Sequence, residues 1–160
     1  MKSYEKAMRN IRNECFQILA ENLYPIFLAR HPRAGKWTAQ MNEVWDDFFA
    51  DMPWDTMDEK EAFLRPLFDA MGRLEMAEQK RAFHRGLQLE FTGQRAKKNN
   101  ARCSPQHRQL EKVLRMYQAL LSPAQAERLN QYQELNQTLL RAGYSYFFAA
   151  GYGILVSAIR

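Results

Sequence analysis

Apolar residues return along this chain at steps of three and four for most of its length, and that rhythm constrains its fold more than any motif does. Tyr4, Met8, Ile11, Cys15, Ile18, Leu19, Leu23, Ile26 and Phe27 make one stripe. Met41, Val44, Trp45, Phe48, Phe49 and Met52 make a second, aromatic one, expected at the centre of the core. Further stripes follow at Phe63, Leu67, Met71 and Leu74, at Leu110, Val113, Leu114, Tyr117, Leu120 and Leu121, and at Leu129, Tyr132, Leu135 and Leu139. Such spacing gathers side chains on one side of a helix. Seven glycines and six prolines among 160 residues leave few breaks, and the abundant Ala, Leu, Glu, Gln, Arg and Met are good helix formers. The fold class expected is all-α: a single compact bundle of five or six helices spanning residues 1–160, with one ordinary core.

Punctuation places the helices. Pro25 removes an amide proton and crowds the preceding turn, so the first helix is expected to bend or end near Tyr24. The run "LARHPRAGKW" then reads as a basic loop, with Thr38 capping a second helix that Pro53 closes. Thr56 and Glu59 have capping-box spacing and start a third helix, in which Pro66 marks a break or kink and Gly72 a weak spot. Residues 92–103, almost without apolar side chains, form an exposed loop. Ser104 before Pro105, and Ser122 before Pro123 with Gln125 three positions on, are two strong starts. The helix from Ser122 is expected to run through Gly143 toward Ile159.

Two segments echo one another, residues 56–92 and 122–159. Each follows a cap, runs amphipathically, and reaches a Phe-x-x-Gly step: Phe83 to Gly86 in one, Phe148 to Gly151 in the other, 65 residues apart. Glycine inside a helix costs about 1 kcal/mol relative to alanine, so it is usually kept for close backbone packing. Two long helices are therefore expected to pack tightly at Gly86 and Gly151.

The stretch from Leu120 to Ile159, with its Ser-capped helix leading into the Phe148 to Gly151 step, resembles the ends of small all-helical proteins scattered through Gram-positive bacterial genomes and their mobile elements. The likeness covers about a quarter of the chain. It brings no catalytic residue and implies a bacterial or phage cytoplasmic origin.

Residues 142–159 carry no charge over eighteen positions, about 27 Å of helix. That is close to bilayer thickness, but three tyrosines, two serines and three glycines dilute it, and a core helix is the preferred reading over a membrane anchor. A charged N-terminus and two widely separated cysteines, Cys15 and Cys103, point to a reducing cytoplasm with free thiols, Cys15 in the core.

Charge is sorted along the chain. From Glu43 to Glu78 eleven acids oppose three bases, and from Lys80 to Arg115 ten bases oppose two acids, so the formal net charge of +5 hides a strongly polar molecule. Lys80, Arg81, Arg85, Arg95, Lys97, Lys98, Arg102, Arg108 and Lys112 form the candidate binding surface. It would take an acidic partner, a protein being favoured over nucleic acid because no aromatics are interleaved for base stacking. His84 and His31 are expected to be ordinary surface residues.

The acids Glu43, Asp46, Asp47, Asp51, Asp55 and Asp58 form an alternative contact surface, suited to an inhibitor or adaptor that binds a basic host nucleic-acid-processing protein. Carboxylates at helical spacing also suit hard cations, but this face lies opposite Trp45 and Phe48, where water is the natural neighbour. No metal, cofactor, zinc-protease or di-iron pattern is read, and no Gly-rich phosphate loop. Arg102 and His107, separated by four residues, resemble the Arg-x4-6-His signature of the HEPN family of helical ribonucleases. That likeness implies a metal-independent RNA cleavage in which the histidine moves protons and the arginine stabilises the phosphate. The signature's arginine normally lies within a helix, whereas Arg102 precedes a cap. The favoured function is therefore non-enzymatic binding.

Overall fold

A computed structural model of the chain describes residues 2–92 and 104–159. Among these described residues there are five helices: α1 (Lys2–Arg30), α2 (Ala34–Ala50), α3 (Met57–Thr92), α4 (Pro105–Leu120) and α5 (Pro123–Ile159). Among the described residues there is no strand. The all-α class expected from the apolar rhythm is the class observed.

Both prolines predicted to interrupt helices are carried inside them, Pro25 in α1 and Pro66 in α3. Each is exposed, as are Glu21 and Ala62, the residues whose carbonyls lose an amide partner. Water can satisfy a carbonyl on that side of a helix, so the proline costs strain but no buried unpaired group. Of the outcomes expected at each proline, a bend or an end at Pro25 and a break or a kink at Pro66, the helix does not end or break at either.

The loop predicted between the first two helices shrinks to His31–Arg33, and α2 begins at Ala34, one turn before the Thr38 cap expected from sequence. His31 is the reason. Its amide donates to Phe27 O at 2.9 Å, its carbonyl accepts from Ala34 N at 3.2 Å, and its ring Nδ1 accepts from Arg33 N at 3.3 Å. The imidazole supplies the acceptor that a Ser or Thr would otherwise provide.

The other starts form as read. Glu59 N donates to Thr56 Oγ1 at 3.3 Å, and the two side chains are bonded at 2.8 Å. Ser104 Oγ accepts from His107 N at 3.1 Å. At α5 the box is reciprocal, Gln125 N to Ser122 Oγ and Ser122 N to Gln125 Oε1, both at 3.3 Å.

The chain gathers into two compact units, one formed by 1–35, 78–97 and 141–160, the other by 36–77 and 98–140. Phe48, Leu64, Leu67, Leu74, Leu110, Val113, Tyr117 and Leu129 are buried in the second unit. Trp45 lies among four rings, with centroids 5.4 Å from Phe48, 5.0 Å from Phe49, 5.2 Å from Phe68 and 4.8 Å from Tyr132. This is the aromatic centre that the second stripe predicts.

In the first unit, Phe16, Ala82, Phe83 and Phe147 are buried together, and Phe27 is fully enclosed, with the Tyr24 and Tyr146 rings against it. Ile26, counted in the same N-terminal stripe, is exposed, since it stands about 100° around the helix from Phe27. The side chains of Cys15 and of residues 154–159 lie outside the described residues, as do Cys103 and all of the predicted 92–103 loop except Thr92.

The predicted glycine crossing is present in this unit. A Cβ built on Gly86 would lie 2.8 Å from Tyr152 N and closer still to Phe148 O. One built on Gly151 would lie 2.9 Å from the Phe83 carbonyl carbon and closer still to its oxygen. Backbone meets backbone at both points. No helix among the described residues is long and apolar enough to cross a membrane.

Candidate binding surface

The helix α4 owes its place to the cap at Ser104 and Pro105 and to a buried side made of Leu110, Val113 and Tyr117. It ends where Leu121 N donates to Tyr117 O at 2.9 Å. Leu120, expected from sequence in the same apolar stripe, is instead exposed at this end of the helix. With that side turned inward, the 3.6-residue period carries Arg108, Lys112 and Arg115 to the opposite side, and all three are exposed. Arg108 and Lys112 are four apart and Arg115 three further, so the charges stand along one strip.

The other half of the predicted surface differs. Lys80, Arg81 and Arg85 belong to the first unit and α4 to the second. Arg81 Nη1 is bonded to Glu78 Oε1 at 2.8 Å, and Arg85 Nη1 donates to the Tyr144 hydroxyl at 2.9 Å. All three are half-buried. Their guanidinium and ammonium groups follow amphipathic stems, and at two of them the charge is engaged within the unit. Arg95, Lys97, Lys98 and Arg102 lie outside the described residues.

His84 corrects the sequence reading. It is half-buried, its ring 6.5 Å edge-on from Phe16 and 6.2 Å from Phe83, with Nε2 shielded from solvent. A histidine between two arginines looks like surface in sequence, yet position 84 follows the enclosed Phe83 around the helix toward Phe16. His31 is also half-buried, its ring 5.4 Å from Phe27.

On the acidic side, Glu43, Asp46 and Asp47 are exposed on α2, and Asp51, Asp55 and Asp58 are exposed beyond it. Sequence reasoning missed what holds the end of this helix. Lys60 Nζ donates to Phe49 O at 2.9 Å, Arg128 Nη1 to Asp47 O at 2.8 Å, and Gln125 Nε2 to Asp51 O at 2.8 Å. Arg128 also pairs with the Asp51 carboxylate. The carbonyls left at a helix C-terminus attract donors and positive charge, and here α3 and α5 supply both. The signal was local to neither segment, because Arg128 is 81 residues from Asp47.

No cluster of three metal-ligating side chains is present among the described residues. His107, the proton-moving member of the ribonuclease-like pair, sits in the first turn of α4 with Nε2 3.5 Å from Glu111 Oε1. Of the tyrosines, Tyr117 and Tyr132 have pKa values shifted upward. Burial raises Tyr117, partly offset by a backbone hydrogen bond from Leu67. Burial and then the nearby Glu75 charge raise Tyr132. No family model, curated protein or solved structure matches the chain.

Proposed function

We propose that this is a non-enzymatic binding protein of the reducing cytoplasm, whose basic surface within residues 80–115 engages an acidic partner. The observation that carries the reading is the strip of Arg108, Lys112 and Arg115 on α4, exposed together and opposite a side buried in the core. Three cations on one rigid helix raise the local potential and speed encounter with an acidic surface. Arg81 and Arg85, engaged by Glu78 and Tyr144, contribute less to such a contact.

The test is a pull-down from bacterial lysate, with and without nuclease, comparing the parent chain with R108E/K112E/R115E. A partner that survives nuclease and is lost with the triple variant supports the reading. Identical material bound by both chains removes it.

A second reading places the contact on Glu43, Asp46, Asp47, Asp51, Asp55 and Asp58, in an inhibitor or adaptor directed at a basic protein of a host's nucleic-acid-processing machinery. The exposure of all six favours it, although Asp51 already pairs with Arg128. E43K/D46K/D47K in the same pull-down separates the two, since each reading loses its partner with only one of the variants.

A further inference from the structure

The exposed side of α4 does not end with its charges. Arg108, Lys112, Met116 and Leu120 stand four residues apart, and Met116 is 53% and Leu120 67% exposed. Residues at this spacing form the ridge that one helix presents to the groove of another. This ridge is about 18 Å long, cationic over its first half and apolar over its second.

A phosphate backbone would use only the first half. It is anionic throughout, and bases stack on aromatic faces, which none of these four side chains has. A protein helix can match both halves. Resting on the reading that the basic side of α4 is the contact surface, we infer that its partner is an acidic amphipathic helix. Two carboxylates four residues apart on that helix face Arg108 and Lys112, and an apolar patch on the adjoining turns covers Met116 and Leu120.

The two halves do different work. Charge pairs at the rim steer approach and set direction, and Arg115, beside Met116, adds a third cation there. Stability of the complex comes from removing methionine and leucine surface from water. Met116, unbranched and polarizable, adapts to the partner's shape. Direction along the groove is set because reversing the partner would bring carboxylates against Leu120.

The experiment selects ligands for the intact chain from a display library of surface-randomised helical peptides, then measures the best peptide by titration. Expected are acids at an i, i+4 pair with leucine-class residues on the adjoining turns. M116S/L120S should weaken that peptide about tenfold or more, as truncated interface anchors do. R108E/K112E should weaken it steeply at low salt, with the difference narrowing as salt is raised. Matched circular dichroism and melting of both variants, whose changes are all at exposed positions, establish that the fold is intact.

If selection yields no such peptide, or binding ignores M116S/L120S while R108E/K112E abolishes it, the helix inference fails and the broader reading of a basic contact surface stands. Preferential binding of a mixed-sequence single-stranded oligonucleotide, unaffected by M116S/L120S, likewise overturns the helix in favour of phosphate. Indifference of every ligand to both variants removes the inference and the proposed function together.

Discussion

Gly86 and Gly151 are reciprocal partners in one helix crossing: each lies against the backbone of the phenylalanine three residues before the other. The two Phe-x-x-Gly steps thereby interlock, α3 supplying Phe83 and Gly86 and α5 supplying Phe148 and Gly151. The repeated spacing of 65 residues in the sequence is the trace of this contact.

Alanine at either glycine must therefore push backbone from backbone. G86A and G151A should each destabilise the protein by about 1–3 kcal/mol, the usual range for overpacking, because the helix-propensity gain of about 1 kcal/mol is smaller than the collision. G72A should do the opposite. Its Cβ meets nothing within 4 Å in the middle of α3, and a gain of about 0.5–1 kcal/mol is expected. Urea unfolding of the three variants checks the contrast in sign.

The side chain of Gln125 serves two helix ends, accepting from Ser122 N at the start of α5 and donating to Asp51 O near the end of α2. S122A should cost about 0.5–2 kcal/mol, the range for a lost N-cap. Q125A should cost more than S122A, because it leaves the Asp51 carbonyl without its donor as well. Thermal melts followed at 222 nm would rank them, and the reverse order would contradict the bridging role.

Exposed and engaged cations should separate in stability. R108E, K112E and R115E, at exposed positions, are expected to stay within about 0.5 kcal/mol of the parent. R85E replaces a half-buried donor to the Tyr144 hydroxyl with a carboxylate, and a loss of about 1–3 kcal/mol is expected. Chemical denaturation of the four single variants measures both.

Alkaline stability should depend on Tyr132. Its pKa is shifted above the ordinary value of 10.0 by burial and by Glu75. Above pH 10 the unfolded chain releases this proton while the folded chain keeps it, so stability is full below that pH and falls as pH rises through the folded value. Y132F should flatten the fall above pH 10, measured as unfolding free energy against pH. An unchanged slope would assign the alkaline loss to other groups.

The capped starts at Thr56, Ser104 and Ser122 were legible in the sequence because a cap is a contact within three residues, written in adjacent letters. So was the all-α class, since a period of three to four survives any arrangement of the helices. The glycine crossing was legible for a rarer reason: a residue that weakens a helix stood twice at the same step from a phenylalanine. The exposed bases of α4 also followed from local phase, once Leu110, Val113 and Tyr117 were assigned to the core.

What local sequence could not decide was every outcome that depends on where a distant group, or water, stands. Pro25 and Pro66, read as places where a helix bends, kinks or stops, are carried inside α1 and α3, on exposed sides that water can reach. The basic stretch from Lys80 to Arg115 read as one surface, yet Arg81 and Arg85 are engaged within their unit while Arg108, Lys112 and Arg115 are exposed. Arg128 and Gln125 reach α2 from more than 70 residues away. The sequence by itself determined the helical class, the starts of α3, α4 and α5 and the tight glycine contact, because those rest on period, caps and steric size. Only the tertiary structure decided which charges are available to a partner, because a charge is available or satisfied according to its neighbours in space.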